Sequence, residues 1–169
     1  MEDLGNVKYA LGIRITQFME GISIIKDKPI RKILSEFNLE NARLLASPLP
    51  SNISNLKSNQ LQPCQNPPFH YQCAIGLLKY LVQGTLPDLA FSASFMSQSL
   101  ESPSKIHFKA IEHIINYMVG MKQLTLQIGQ NNLQPDLKTI IGFSNADWGG
   151  SKECKSFSES LIYYQGSIG

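Results

Sequence analysis

Val7-Lys8-Tyr9-Ala10-Leu11-Gly12-Ile13-Arg14-Ile15 carries an apolar side chain at every second position, at Val7, Tyr9, Leu11, Ile13 and Ile15. That period of two belongs to a strand with one buried face. A second apolar run, Ile22 to Ile25, follows Met19-Glu20-Gly21, so the two runs predict a hairpin that turns at Gly21. Behind Pro29 the period changes, with Ile30, Ile33, Leu34 and Phe37 at helical spacing. A proline is tolerated in a first helical turn because its missing N–H has no partner to lose there. Strand, strand and helix open the chain, and the two periods together set the class as α+β.

Working outward, residues 46–69 hold five of the nine prolines (Pro48, Pro50, Pro63, Pro67, Pro68) among Ser, Asn and Gln, and read as a linker or long surface loop. Three helical segments follow. The first covers about 70–83 with Tyr71, Ile75, Leu78 and Val82 on one face, and the second about 87–100 with Leu89, Ala93, Met96 and Leu100. The third covers about 103–119 with Ile106, Ala110, Ile114 and Met118. Pro87 and Pro103 suit first turns, Ser102 an N-cap and Gly120 a left-handed helix end. Short apolar runs then return at Leu124 to Ile128, Thr139 to Phe143 and Ser160 to Gln165. These predict strands of a second sheet, incomplete because a stable sheet needs three or more strands covered on at least one face.

The chain has 169 residues, enough for a real core, and 43% of them are hydrophobic, which excludes a chain disordered by composition. Fifteen basic residues against 13 acidic give +2, so charge alone leaves no strong nucleic-acid footprint. Three cysteines, Cys64, Cys73 and Cys154, without a Cys-x-x-Cys pair indicate neither a disulfide framework nor a zinc knuckle, and a reducing compartment is expected. No run of 18 apolar residues and no leader pattern occurs, so the expectation is an intracellular protein, cytoplasmic or nuclear, that meets no membrane.

No phosphate-cradling glycine loop, paired metal histidines or Ser/His/Asp arrangement with a local signature appears. His107 and His113 lie six apart on one helix, on opposite-leaning faces, and read as ordinary surface or boundary residues rather than ligands of one metal. His70 precedes a helix beside Pro67 and Pro68 with no catalytic partner nearby. Lys26, Lys28, Arg31 and Lys32 form the densest basic cluster, and Lys79, Lys105, Lys109 and Lys122 follow on the helices. Both a solvated face and a nucleic-acid-binding stripe fit these lysines.

Ile141-Gly142-Phe143-Ser144-Asn145-Ala146-Asp147-Trp148-Gly149-Gly150 resembles the Gly-Tyr-Ser-Asp-Ala-Asp-Trp-Ala-Gly segment that opens the ribonuclease H domain of copia-type retrotransposon polyproteins. Asp3-Leu4-Gly5-Asn6-Val7-Lys8-Tyr9-Ala10-Leu11-Gly12-Ile13 resembles the family's Asp-Leu-Gly-x-x-Lys-Tyr-Phe-Leu-Gly-Ile hairpin, and Ser47-Pro48-Leu49 its Ser/Thr-Pro-Leu/Met. Tyr71 to Leu81 is similar to Tyr-Arg-x-x-Val-Gly-x-Leu-x-Tyr-Leu, and Pro87 to Phe91 to Pro-Asp-Ile-Ala-Phe. Pro103 to Tyr117 resembles a Pro-Thr-x-x-His-Trp helix, and Lys155 to Ser158 resembles Lys-Ser-Thr-Ser. The matches are collinear over nearly the whole chain.

The resemblance implies the end of a reverse transcriptase followed by the start of a ribonuclease H fold. Residues 1–45 would be the palm-end hairpin and helix, 46–69 a linker, 70–130 the thumb and connection helices, and 137–169 a truncated ribonuclease H-like sheet. The parent family uses Mg²⁺, and two-ion phosphoryl chemistry needs clustered carboxylates. This chain has no Asp-Asp pair, and Asn145 stands where the family has its first ribonuclease H aspartate. Asp147 is the one residual candidate, read otherwise as an exposed strand-end residue beside a packed Trp148 with no second acidic partner. Leu86, Phe108, Asn116 and Val119 replace family residues, several of them basic. The expectation is a catalytically inactive fragment with no cofactor. Its alternatives are a non-catalytic module for RNA–DNA hybrid or RNA, and a protein-interaction fragment that self-associates through sheet edges exposed at Leu161 to Tyr164.

Overall fold

The computed structural model describes residues 5–19, 21–37, 45–53, 56, 61–129, 140–149, 156, 158–164 and 167–168. Among these the α+β class holds, as four helices, a four-stranded antiparallel sheet in the order β1-β2-β3-β4 and a three-stranded antiparallel sheet β5-β6-β7. The strands are β1 (Tyr9–Ala10), β2 (Ile13–Phe18), β3 (Gly21–Ile25), β4 (Leu126–Ile128), β5 (Ile140–Ala146), β6 (Ser158–Tyr164) and β7 (Ser167–Ile168). The helices are α1 (Asp27–Glu36), α2 (Tyr71–Val82), α3 (Ala90–Ser97) and α4 (Lys105–Gly120), with a 3-10 turn at Pro87–Leu89 before α3. Packing divides the chain into two compact units, Tyr9–Arg14 with Ile25–Thr125, and Met1–Lys8 with Ile15–Ile24 and Leu126–Gly169.

The alternating run at the start is not one strand. It reverses at Leu11-Gly12, where φ is 49° and 77°, and pairs back with Tyr9 opposite Arg14 and Ala10 opposite Ile13. Positive φ at both central residues is what a two-residue hairpin loop needs to match the twist of its strands. Gly21 is the first residue of β3 rather than a left-handed turn residue, and its missing Cβ leaves room for the carbonyl oxygen of Ile128. Leu124 to Ile128 belongs to the first sheet and not to a second one, because β4 pairs with β3 through Ile22–Ile128, Ser23–Gln127 and Ile24–Leu126.

The core of the helical unit is built from the stripes that the spacing picks out. Ile30, Ile33 and Leu34 of α1, Ile75, Leu78 and Leu81 of α2, Ala93 and Met96 of α3, and Ile111, Ile114, Ile115 and Met118 of α4 are all buried. Burying a large aliphatic side chain is worth about 1.5–3 kcal/mol, so these stripes are what hold the helices together. Phe69 bridges Phe37 and Phe108 edge to face at centroid distances of 4.8 and 5.0 Å.

The proline-rich 46–69 stretch is not a free spacer. Leu49 and Leu56 are buried in the core. Three polar ties fasten its described residues to α4 or to Pro103, two residues ahead of it: the Ser47 carbonyl lies 3.1 Å from His113 Nε2, the Leu56 carbonyl 2.9 Å from His107 Nε2, and Cys64 N–H donates to the Pro103 carbonyl at 3.0 Å. The α4 N-cap is Ser104 rather than Ser102, with Pro103 outside the helix, and the helix runs out through Met121 in right-handed conformation with no left-handed glycine.

In the second sheet β5 and β6 pair in register from Ile140–Tyr164 to Ala146–Ser158. β6 pairs on its other side with β7 through Tyr163–Ile168 and Tyr164–Ser167, so Tyr163 and Tyr164 are flanked on both sides and not the exposed edge expected, whereas Leu161 and Ile162 have no strand on that side among the described residues. Every residue of β5 is exposed.

Candidate nucleic-acid interface

Of the four clustered cations near the front, three share one face of α1. Lys28, Arg31 and Lys32 sit at i, i+3 and i+4, neighbouring positions on a helix. The Arg31 and Lys32 side chains are 71% and 77% exposed. Their ion pairs are long, 3.9 Å from Arg31 to Asp27 and 3.8 Å from Lys32 to Glu36. The Lys32–Glu36 pair is exposed at both ends and worth about 0–1 kcal/mol, so a phosphate can displace it at little cost, whereas the Asp27 end of the Arg31 pair is buried. Lys28 Nζ lies 4.6 Å from the centre of the Tyr9 ring, a half-exposed aromatic on β1. Arg14 of β2 joins the group through Asp27 at 3.3 Å, and no sequence signal marked it because it stands alone in a strand.

Asp27 organises this face. It is buried at the start of α1, its Oδ2 takes both arginines, and its Oδ1 has no hydrogen-bond partner. A carboxylate in the first helical turn also suits the helix dipole. The carboxylate therefore ties Arg14 and Arg31 to one point, and both side chains stay partly exposed.

Lys26 does not belong to the interface. It is buried, donates from Nζ to the Tyr80 carbonyl and lies 3.5 Å from the centre of the Tyr80 ring. Desolvation lowers its pKa from the ordinary lysine value. Gly84 makes this possible, since a Cβ there would collide with Lys26 Cε and Nζ. The remaining lysines stay on the surface: Lys79 is exposed on α2, and Lys105 and Lys109 are exposed one turn apart on α4.

His113 is half-buried on α4 and His70 is exposed, as expected of boundary and surface residues, but His107 is neither. His107 is buried, and its Nδ1 accepts the Ser104 N–H at 2.9 Å in a capping box. A backbone N–H can only donate, so Nδ1 is the bare nitrogen, and Nε2–H is left to donate to the Leu56 carbonyl at 2.9 Å, with Ser99 Oγ 3.1 Å away. The sequence signal was Ser104 with a side-chain acceptor three residues on, a capping-box spacing with His in place of Glu or Gln.

At the other sheet, Asn145 is exposed on β5, directly opposite Glu159 of β6. Opposed residues share a sheet face, so Glu159 is the acidic neighbour that sequence reasoning missed. Asp147 is exposed just past the end of β5, and Trp148 is 99% exposed, not packed. The donors here are one carboxamide and exposed carboxylates. No group of three or more His, Cys, Asp or Glu able to hold a metal forms among the described residues. Mg²⁺ favours carboxylates and water, and a two-ion site needs enough of them to bridge the ions. Among the described residues this donor set does not fit such a pair.

Compared with known proteins, the chain is 27% identical over 169 residues to the retrovirus-related Pol polyprotein from transposon TNT 1-94 of Nicotiana tabacum, matching 96% of this chain and 12% of that one. It is 25% identical to the Pol polyprotein from transposon RE1 of Arabidopsis thaliana, over 98% of this chain and 11% of the other. The chain is a relative of the copia-type transposon Pol polyproteins. It is also 26% identical to an uncharacterized mitochondrial protein of Arabidopsis thaliana, over 98% of this chain and 66% of that protein. This Pol relative thus spans about an eighth of the tobacco polyprotein and under two thirds of the mitochondrial protein. No protein-family model and no solved structure matches it. Among the described residues no helix is long and apolar enough to cross a membrane.

Proposed function

We propose that this retrotransposon polyprotein fragment binds RNA–DNA hybrid, or RNA, through the basic face of α1 and performs no phosphoryl chemistry itself. The observation that carries the reading is the exposed Lys28, Arg31 and Lys32 triad, beside Arg14 and the Tyr9 ring. A phosphate exchanges with the weak Lys32–Glu36 pair and meets the exposed Lys28 and Arg31, while the ring offers a flat face to a sugar or base. Lys79, Lys105 and Lys109 add further phosphate contacts. By its likeness to the family, the β1–β3 hairpin with α1 corresponds to the palm end of a reverse transcriptase. Helices α2 to α4 correspond to its thumb and connection, and β5 to β7 to a ribonuclease H-like sheet. With Asn145 at the first carboxylate position and a donor set that does not suit paired Mg²⁺, the fragment holds its ligand intact.

The experiment is fluorescence anisotropy of a labelled RNA–DNA primer-template across a salt series. The slope of log K against log salt should fall by roughly 1 for each contacting residue neutralised at Arg31 or Lys32. Affinity that ignores salt, or slopes unchanged in both variants, would remove the reading.

A second reading is association between copies. β5 has no strand on its outer side among the described residues, and its Ile140 and Phe143 are 67% and 60% exposed. Unpaired apolar edges of this kind recruit further strands. A sedimentation profile that remains monomeric as concentration rises would exclude it.

A further inference from the structure

The helical unit contains a cavity of about 590 Å³ that the interface above does not use, lined by Glu36, Phe37, Phe69, Cys73, Leu77 and Glu112 among others. Its volume falls within the range of small-molecule sites, roughly 300–1,000 Å³. We infer that this cavity binds a small organic cation, an ammonium or amidinium group carried on an apolar body.

Three features of the lining select that class. Phe37 and Phe69 stand edge to face at 4.8 Å and form an aromatic wall, with Leu77 and Ala74 beside them. A cation within about 6 Å of an aromatic centre is attracted by the ring's negative face. Glu36 closes α1 on one side and Glu112 projects from α4 on the other, so two carboxylates border an apolar space from separate helices. Among the described residues no lysine or arginine lines the cavity, and the one basic side chain in the lining is His70. Lys32 reaches Glu36 from outside at 3.8 Å, whereas Glu112 makes no ion pair among the described residues. An anion would meet two like charges here and a neutral ligand would leave Glu112 unused. An organic cation satisfies Glu112 and the aromatic wall together.

Cys73 supplies the readout, because its free thiol is exposed and belongs to the lining, whereas Cys64 does not. The test titrates the full chain with benzyltrimethylammonium and follows carbamidomethylation of each cysteine by peptide mass spectrometry, with calorimetry alongside. Expected is saturable protection of Cys73 with no change at Cys64. The neutral benzyl alcohol should give no protection at the same concentration, and Glu112→Gln should weaken the cation about fivefold. Absence of saturable binding would overturn the inference. Equal protection by benzyl alcohol would also overturn it, and that comparison uses only the unaltered chain. A folded Glu112→Gln protein that binds as tightly as the original would do the same.

Discussion

His107 joins the start of α4 to the proline-rich stretch, and its replacement has a cost that follows from its partners. His107→Ala removes the acceptor for the Ser104 N–H and the donor to the Leu56 carbonyl, both at 2.9 Å and both buried. Loss of a helix cap costs about 1 kcal/mol, and a buried carbonyl left without a donor about 1–3 kcal/mol. Together these predict a loss of about 2–4 kcal/mol. With a urea m-value of about 2 kcal/mol/M, 3 kcal/mol lowers the midpoint by about 1.5 M. Far-UV circular dichroism at 222 nm is the appropriate signal because it reports the helices, while Trp148 lies in the other unit. His107→Gln separates the two contributions. Gln is a usual capping-box residue at this position, so it keeps an acceptor for Ser104 N–H and should cost about 1 kcal/mol less than alanine. An alanine variant within about 0.5 kcal/mol of the original, or a glutamine variant as costly as alanine, would refute the capping role.

Gly84→Ala should push the Lys26 tip aside, break its hydrogen bond to the Tyr80 carbonyl and destabilise the helical unit by about 0.5–1.5 kcal/mol. Lys26→Met should relieve part of that cost, so a double-mutant cycle that shows strict additivity would exclude the contact. Tyr117 donates to Asp88 Oδ2 at 2.9 Å, and burial, then that hydrogen bond and the Asp88 charge, push its pKa up to about 12. Because the raised value favours the neutral phenol in the folded state, its contribution is complete below pH 10 and is lost as pH rises through about 12. Stability measured from pH 9 to 12 should therefore fall less steeply in Tyr117→Phe, and an unchanged profile would contradict this. Gly12→Ala meets the Tyr80 hydroxyl at 2.8 Å from a backbone φ of +77°, and should lower the thermal midpoint even when paired with Tyr80→Phe, because the backbone strain remains.

The helical half of the fold was legible because helix periodicity is local. Leu78, Ala93, Met96, Ala110, Ile114 and Met118 were assigned to core stripes from spacing alone, and all are buried. The features that escaped depend on partners distant in sequence. Alternation from Val7 to Ile15 looks the same whether the chain runs straight or reverses at Leu11-Gly12, and leucine at φ 49° is a rare turn residue. Leu126 to Ile128 carries no mark that it pairs with Ile22 to Ile24 rather than with its successors. The central place of β6 depends on β7, only two residues long, which no window of periodicity detects. At the candidate interface, Lys28, Arg31 and Lys32 were visible as members of the densest basic cluster. Lys26 was not separable from them, since its burial requires Tyr80 and Gly84, more than 50 residues away.

The central claim is that the fragment grips nucleic acid and leaves it intact, and one reaction tests both halves. A labelled RNA–DNA hybrid incubated with the folded full chain and Mg²⁺ is divided between a native gel, run at low and at raised salt, and a denaturing gel. The account predicts a retarded hybrid at low salt, release at raised salt, and full-length RNA in both. Shortened RNA that disappears with Asp147→Ala, or a hybrid that is never retarded, would contradict it.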